Sequence, residues 1–163
     1  MASLADIELA VTKITSVGAE KPILLQCTSL YPAPVELSNL KAMSTLKQAF
    51  DCDVGYSDHT LGINIPIAAV ALGAKVIEKH FTTSNELDGP DHNFALEPDE
   101  FANMVSGIRD VEKSLGDGLK HGPREEENEM YEKGRRSIHA AKDLKKGDKL
   151  SREDLIIKRP GYG

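Results

Sequence analysis

Two hydrophobic periods alternate along most of the chain. Leu4, Ile7, Ala10, Val11 and Ile14 recur every three or four residues, which predicts a helix over 3–17 with Ser3 as N-cap and Gly18 as its stop. Residues 23–27 form a short, nearly unbroken apolar run, the pattern of a buried parallel strand. The two patterns then repeat. A helix is predicted over 39–50, capped by Ser38, with Leu40, Met43, Leu46, Lys47 and Phe50 on its inner face. A strand over 53–56 follows and leads into a loop at Ser57-Asp58-His59. Residues 63–72 read as a third helix closed by Gly73, and 75–79 as a third strand that ends at His80. Strand, helix and strand in this order make a βαβ unit. Its strands should be parallel, about 5 Å apart if adjacent, with their C-terminal ends on one edge.

Beyond His80 the periodicity lapses over 81–96, a long loop holding Asp88-Gly89-Pro90-Asp91-His92. Pro98 suits the first position of a helix, and Asp99 and Glu100 suit its first turn; the pattern runs to Leu115, where Gly116 and Gly118 end it. Residues 125–129 are strongly acidic and bury little, as in a linker or an exposed helix. From Arg135 short strands are expected at 137–141 and 150–155 around a turn at 145–148, the opening of a second small module. The predicted division is therefore 1–118, a linker over 119–134, and 135–163.

Composition changes this picture little. The chain has 163 residues, 40% of them hydrophobic, enough for one core. A net charge of -6 argues against nucleic acid or an anionic membrane as partner. No apolar run is long enough to span a bilayer, and the start lacks the basic residues of a signal peptide. Two cysteines without a CxxC spacing do not suggest a disulfide framework or a thiolate zinc site. A soluble, cytoplasmic protein is expected.

The chemistry gathers where the two histidines fall at equivalent strand ends. One histidine alone is more often a satisfied structural residue than a ligand. Two, each beside a carboxylate (Asp58 and Glu78), favour a metal or acid–base site. Imidazole nitrogens with open positions suit Mn, Fe, Co or Zn. An ion held by two protein nitrogens keeps places for water and substrate and can polarise a carbonyl. Glu78 and Asp58 either orient a ligand from behind or form a salt bridge within the sheet, and spacing leaves both open. Ser29, Tyr31 and Ser57 at strand ends are donors for an anion or simple turn formers. Asp91 and His92 read, on spacing alone, as a turn residue and an exposed histidine. Lys79 alternates with its neighbours and should point away from the site, while Arg135 and Arg136 border the linker.

Together these blocks resemble the sialic acid synthase family, the phosphoenolpyruvate-dependent synthases of nine-carbon keto acid sugars. The matching stretches are Gln26-Cys-Thr-Ser-Leu-Tyr-Pro32, Gly55-Tyr-Ser-Asp-His-Thr60, Ile77-Glu-Lys-His-Phe-Thr82, Gly89-Pro-Asp-His92 with Leu96-Glu-Pro98, and Arg135-Arg-Ser137 through Lys158-Arg-Pro-Gly161. The resemblance implies strands six to eight of a (β/α)8 TIM barrel, a linker, and the start of an antifreeze-like SAF domain. It implies condensation of phosphoenolpyruvate with an N-acylated hexosamine such as N-acetylmannosamine, with release of phosphate. His59 and His80 match the family's metal ligands, with Mn2+ as the ion and Mg2+ or Co2+ as its substitutes. Ser57 and Tyr31 match contacts to phosphoenolpyruvate, and Asp91 a contact to the sugar. Ser29 stands where members often carry asparagine, and Glu78 lies beside the metal. Catalytic work would fall to Glu78 and Asp58.

The family's first five strands have no counterpart here, and with them go an acidic residue and the phosphate-holding lysines. The SAF domain, which in the family reaches the partner subunit of a homodimer, stops at Gly163. A closed barrel takes about 250 residues, so weak activity at most is expected of this chain alone. An inactive fragment kept as a binding or assembly module, or another metal-dependent sugar aldolase or isomerase, are the rival readings.

Overall fold

The computed structural model describes residues 1–162. Helix α1 spans Leu4–Ser16 and starts as the pattern predicts. Asp6 N–H donates to Ser3 Oγ at 3.3 Å and Ser3 N–H donates to Asp6 Oδ2 at 2.8 Å, a reciprocal capping box. Strand β1 (Leu24–Cys27), helix α2 (Ala42–Phe50), strand β2 (Val54–Asp58), helix α3 (Asn64–Ala71) and strand β3 (Val76–Lys79) follow in alternation. The three strands form one parallel sheet in the order β1-β2-β3. The protein is thus α/β, as expected.

Alternation along each strand sorts its side chains between two faces. Val54 and Tyr56 of β2 face α2 and α3, packing with Met43, Leu46, Ala69 and Ala74 into the core, with Ile7, Leu24 and Ile77 at its margin. Burying each large side chain contributes roughly 1.5–3 kcal/mol. The opposite face carries Gly55 and Ser57. A Cβ at Gly55 would lie 2.4 Å from the Val76 carbonyl oxygen, so only glycine lets β1 and β3 close in on β2 here.

Three local expectations change. Helix α2 starts at Ala42, and Ser38 is a buried residue closing a 3-10 turn over Val35–Leu37. Asn39 adopts a left-handed backbone (φ 45°), which no right-handed helix can pass through. Strand β2 runs through Ser57 and Asp58, which are strand residues and not a loop, because β3 pairs with them. Residues 81–96 are also more ordered than an open loop. Leu96 N–H donates to the His80 carbonyl at 2.9 Å, and Thr82 N–H to the Leu96 carbonyl at 2.9 Å. Helix α4 (Pro98–Ser114) begins at Pro98 as predicted.

The chain divides into two compact units, the first Met1–Asp117 and the second from Gly118 onward. In the second, residues 125–134 form a 3-10 turn (Glu125–Glu127) and helix α5 (Asn128–Gly134), so the acidic run at 125–129 is helical and exposed. Strand β4 (Ser137–Ala140) pairs antiparallel with β5 (Leu155–Lys158). Residues 150–155 are mostly not strand: Arg152–Asp154 is a 3-10 turn that buries Asp154. That carboxylate accepts from Ser151 N–H at 2.8 Å and Ser151 Oγ at 3.0 Å, and pairs with Lys142 Nζ. Lys142 first, then Ser151, hold its pKa down at about 2. Among the described residues no helix is long and apolar enough to cross a membrane.

Candidate active site

Parallel pairing sets Ser57 opposite Glu78 and Asp58 opposite Lys79, so the residues after them, His59 and His80, emerge side by side at the C-terminal edge. Their ring centroids are 5.3 Å apart. His59 is buried, and its Nδ1 lies 2.9 Å from the Thr28 carbonyl oxygen. A carbonyl can only accept, so Nδ1 carries the proton and Nε2 keeps its lone pair for a ligand. Cys27 Sγ lies 3.7 Å from the same Nδ1. His80 has Asp91 Oδ2 at 3.8 Å from its Nδ1. Both rings lie against Tyr31, with centroid distances of 4.2 Å to His59 and 5.9 Å to His80, and Phe94 packs on His80 at 5.0 Å.

Ser57 Oγ donates to Glu78 Oε1 at 2.6 Å on the face that leads to the histidines. Asp58 belongs to the other face. Its Oδ2 accepts from Lys79 Nζ at 2.6 Å, its Oδ1 from Thr60 N–H at 2.9 Å, and Lys79 Nζ also donates to the Thr60 carbonyl at 2.6 Å. The side chains of Lys79 and Asp58 are 1% and 0% exposed. This is the salt-bridge alternative of the sequence reading for Asp58: Lys79 and Thr60 engage both oxygens of its carboxylate. Lys79 points away from the Ser57 and Glu78 face, as expected.

Tyr31, Ser57, His59, Glu78, His80 and Asp91 therefore share one strand edge. Ser29 is exposed, its Oγ 4.0 Å from Cys27 Sγ. His92 is held elsewhere, with its Nδ1 2.7 Å from Thr82 Oγ1. A cleft of about 250 Å³ opens between Ser57, Asp58, His59, Glu78, Lys79 and His80. A larger groove of about 610 Å³, between α1 and β1, holds none of the candidate residues. Sequence reasoning missed Phe94 and Thr28. Phe94 carries no periodic signal, and Thr28 acts through its backbone, which no residue identity reveals.

Among the described residues no group of three or more His, Cys, Asp or Glu side chains is placed to hold a metal. The donors suit an ion only as a neighbouring pair of imidazoles, one with its tautomer set by a carbonyl. Such a pair fits a divalent transition ion that leaves most of its coordination positions to water and substrate.

The comparisons with known proteins agree with this frame. An N,N'-diacetyllegionaminic acid synthase of Campylobacter jejuni is 48% identical over 165 residues, covering 100% of this chain and 49% of that protein. A second protein of that name, from Legionella pneumophila, is 52% identical over 141 residues, 86% of this chain and 39% of its own length. The crystal structure of an N-acetylneuraminic acid synthetase from Leptospira borgpetersenii, in complex with citrate, superposes with a TM-score of 0.71 at 42% identity, covering 79% of this chain and 45% of that one. The chain spans about half the length, or less, of the relatives it matches. The SAF domain pattern matches residues 135–163. With the NeuB family pattern matching residues 1–120, the chain belongs to the NeuB family.

Proposed function

We propose that the chain carries the metal-binding part of a nonulosonic acid synthase, one that condenses phosphoenolpyruvate with an N-acylated hexosamine and releases phosphate. In this reading the parallel sheet is strands six to eight of a (β/α)8 barrel, and the β4–β5 hairpin opens an SAF domain. The single observation that supports it most is the juxtaposition of His59 and His80 at the edge where parallel α/β folds place their chemistry. The two legionaminic relatives favour an acceptor of the sialic and legionaminic branch.

His59, through the free Nε2, and His80 would hold Mn2+. The ion would supply Lewis acidity toward the acceptor's aldehyde oxygen, where negative charge develops as the carbon–carbon bond forms. The remaining work falls to the chain's own groups. Tyr31, exposed and lying against both imidazoles, offers a phenolic donor to an anionic substrate. Ser57 gives its proton to Glu78, so Glu78 sets the direction of the hydroxyl; an incoming phosphate oxygen would compete for that proton. Asp91, half exposed beside His80, can accept from a sugar hydroxyl.

Mn2+ titration of the purified chain, followed by the paramagnetic signal of the free ion, tests the centre of the reading. His59→Ala and His80→Ala should each weaken binding at least about tenfold; unchanged binding in both overturns it. Phosphate release from phosphoenolpyruvate, N-acetylmannosamine and Mn2+ tests the activity. Release should be weak in the chain alone and lost in the histidine variants, whereas robust release insensitive to both would refute the assignment.

A further inference from the structure

We propose that the buried Asp58–Lys79 ion pair is the device that positions the two histidines, locking the strand ends that carry them at one separation. The inference rests on the reading of His59 and His80 as partners in one site. Each member of the pair stands immediately before a histidine, and the two face each other across neighbouring parallel strands. One ammonium therefore spans both histidine-bearing ends. Lys79 also donates to the carbonyl of Thr60, and Asp58 accepts the Thr60 N–H, so the residues on both sides of His59 are held by the same cluster. Neither side chain is accessible to water, which would otherwise loosen a charge pair.

The neighbouring rung makes a useful contrast. Ser57 and Glu78 are also joined at 2.6 Å, but Glu78 is exposed and one hydrogen bond crosses between the strands. The Asp58–Lys79 cluster has three bonds, two of them to the backbone that turns out of β2. A buried ion pair stabilises a fold less than well-packed apolar residues of similar volume would. Positioning gives this pair a role that stability alone does not.

The test uses the full chain with Lys79→Met, Asp58→Asn and the double variant, which leaves no unpaired charge. The metal-free readout is the nuclear Overhauser contact between the two imidazole rings, and the second is the Mn2+ dissociation constant. In all three variants the ring contact should be lost and the constant should rise about tenfold or more, while contacts within the Met43–Tyr56 core persist. Asp58→Asn retains an oxygen for the Thr60 N–H and is the variant best able to keep the fold. Met43→Ala, a core substitution outside the site, should lower the thermal midpoint and leave both readouts unchanged. Folded variants with an intact ring contact and unchanged Mn2+ affinity overturn the proposal, as does a Met43→Ala protein that loses both equally. If His59→Ala and His80→Ala both bind Mn2+ as well as the unaltered chain, the metal reading falls, and the ring contact still decides the positioning role.

Discussion

Strands β2 and β5 are nearly the same length, and they are held by different physics. All five residues of β2 are buried, between two neighbouring strands and under two helices. All four residues of β5 are exposed and, among the described residues, pair with one strand, β4. A two-stranded ribbon has little apolar area to bury and is marginal by itself. The second unit leans instead on polar anchors, chiefly Asp154 with Lys142 and Ser151. The candidate site hangs from the end of β2, where burial of every strand residue holds side chains to fixed directions.

The largest effect expected from breaking this contrast lies at the end of β2. Lys79→Met should cost about 3–5 kcal/mol of stability, because it leaves the Asp58 carboxylate buried without its partner. Asp58→Asn/Lys79→Met should cost clearly less, and urea unfolding of both compares the two directly. An equal loss in single and double variants would mean that the ion pair is not what holds this region.

Met43→Ala, in a fully buried position, should cost about 2–5 kcal/mol by opening a cavity in the first unit. Acid should separate the two units next. Asp154 titrates at about 2 when folded against an ordinary 3.8, so it adds stability above pH 3.8 that is lost as pH falls through about 2. Proton-exchange protection around Ala141, whose N–H donates to the Asp154 carbonyl, should fall across that window and lose this dependence in Asp154→Asn. The smallest effect belongs to β5: Ile157→Ala, at a residue 66% exposed, should shift stability by no more than about 0.5 kcal/mol. A loss comparable to that of Met43→Ala would show that this hairpin is covered in solution.

Much of the candidate site was legible because parallel strands impose a rule: residues at equivalent strand ends share an edge. That rule alone brought His59 and His80 together, and the loop after β3 carried Asp91 to them. The partner of Asp58 was not legible, for a related reason. Ending β2 at Tyr56 hid the register that sets Asp58 against Lys79 on the helix-covered face, and only the pairing of β3 revealed it. Helix α2 starts later than the pattern predicts because Ser38 only looks like a cap, and the left-handed backbone at Asn39 keeps the helix from beginning there.

By itself the sequence determined the order of elements, the parallel sense of the sheet and the identity of the donors, since these follow from local periodicity and chain connectivity. The tertiary structure alone decided which carboxylate is taken up by an ion pair, which nitrogen of His59 is free, and that Lys79 binds the residues around it. Those outcomes turn on register and on backbone carbonyls, and neither is written in the identity of any single residue.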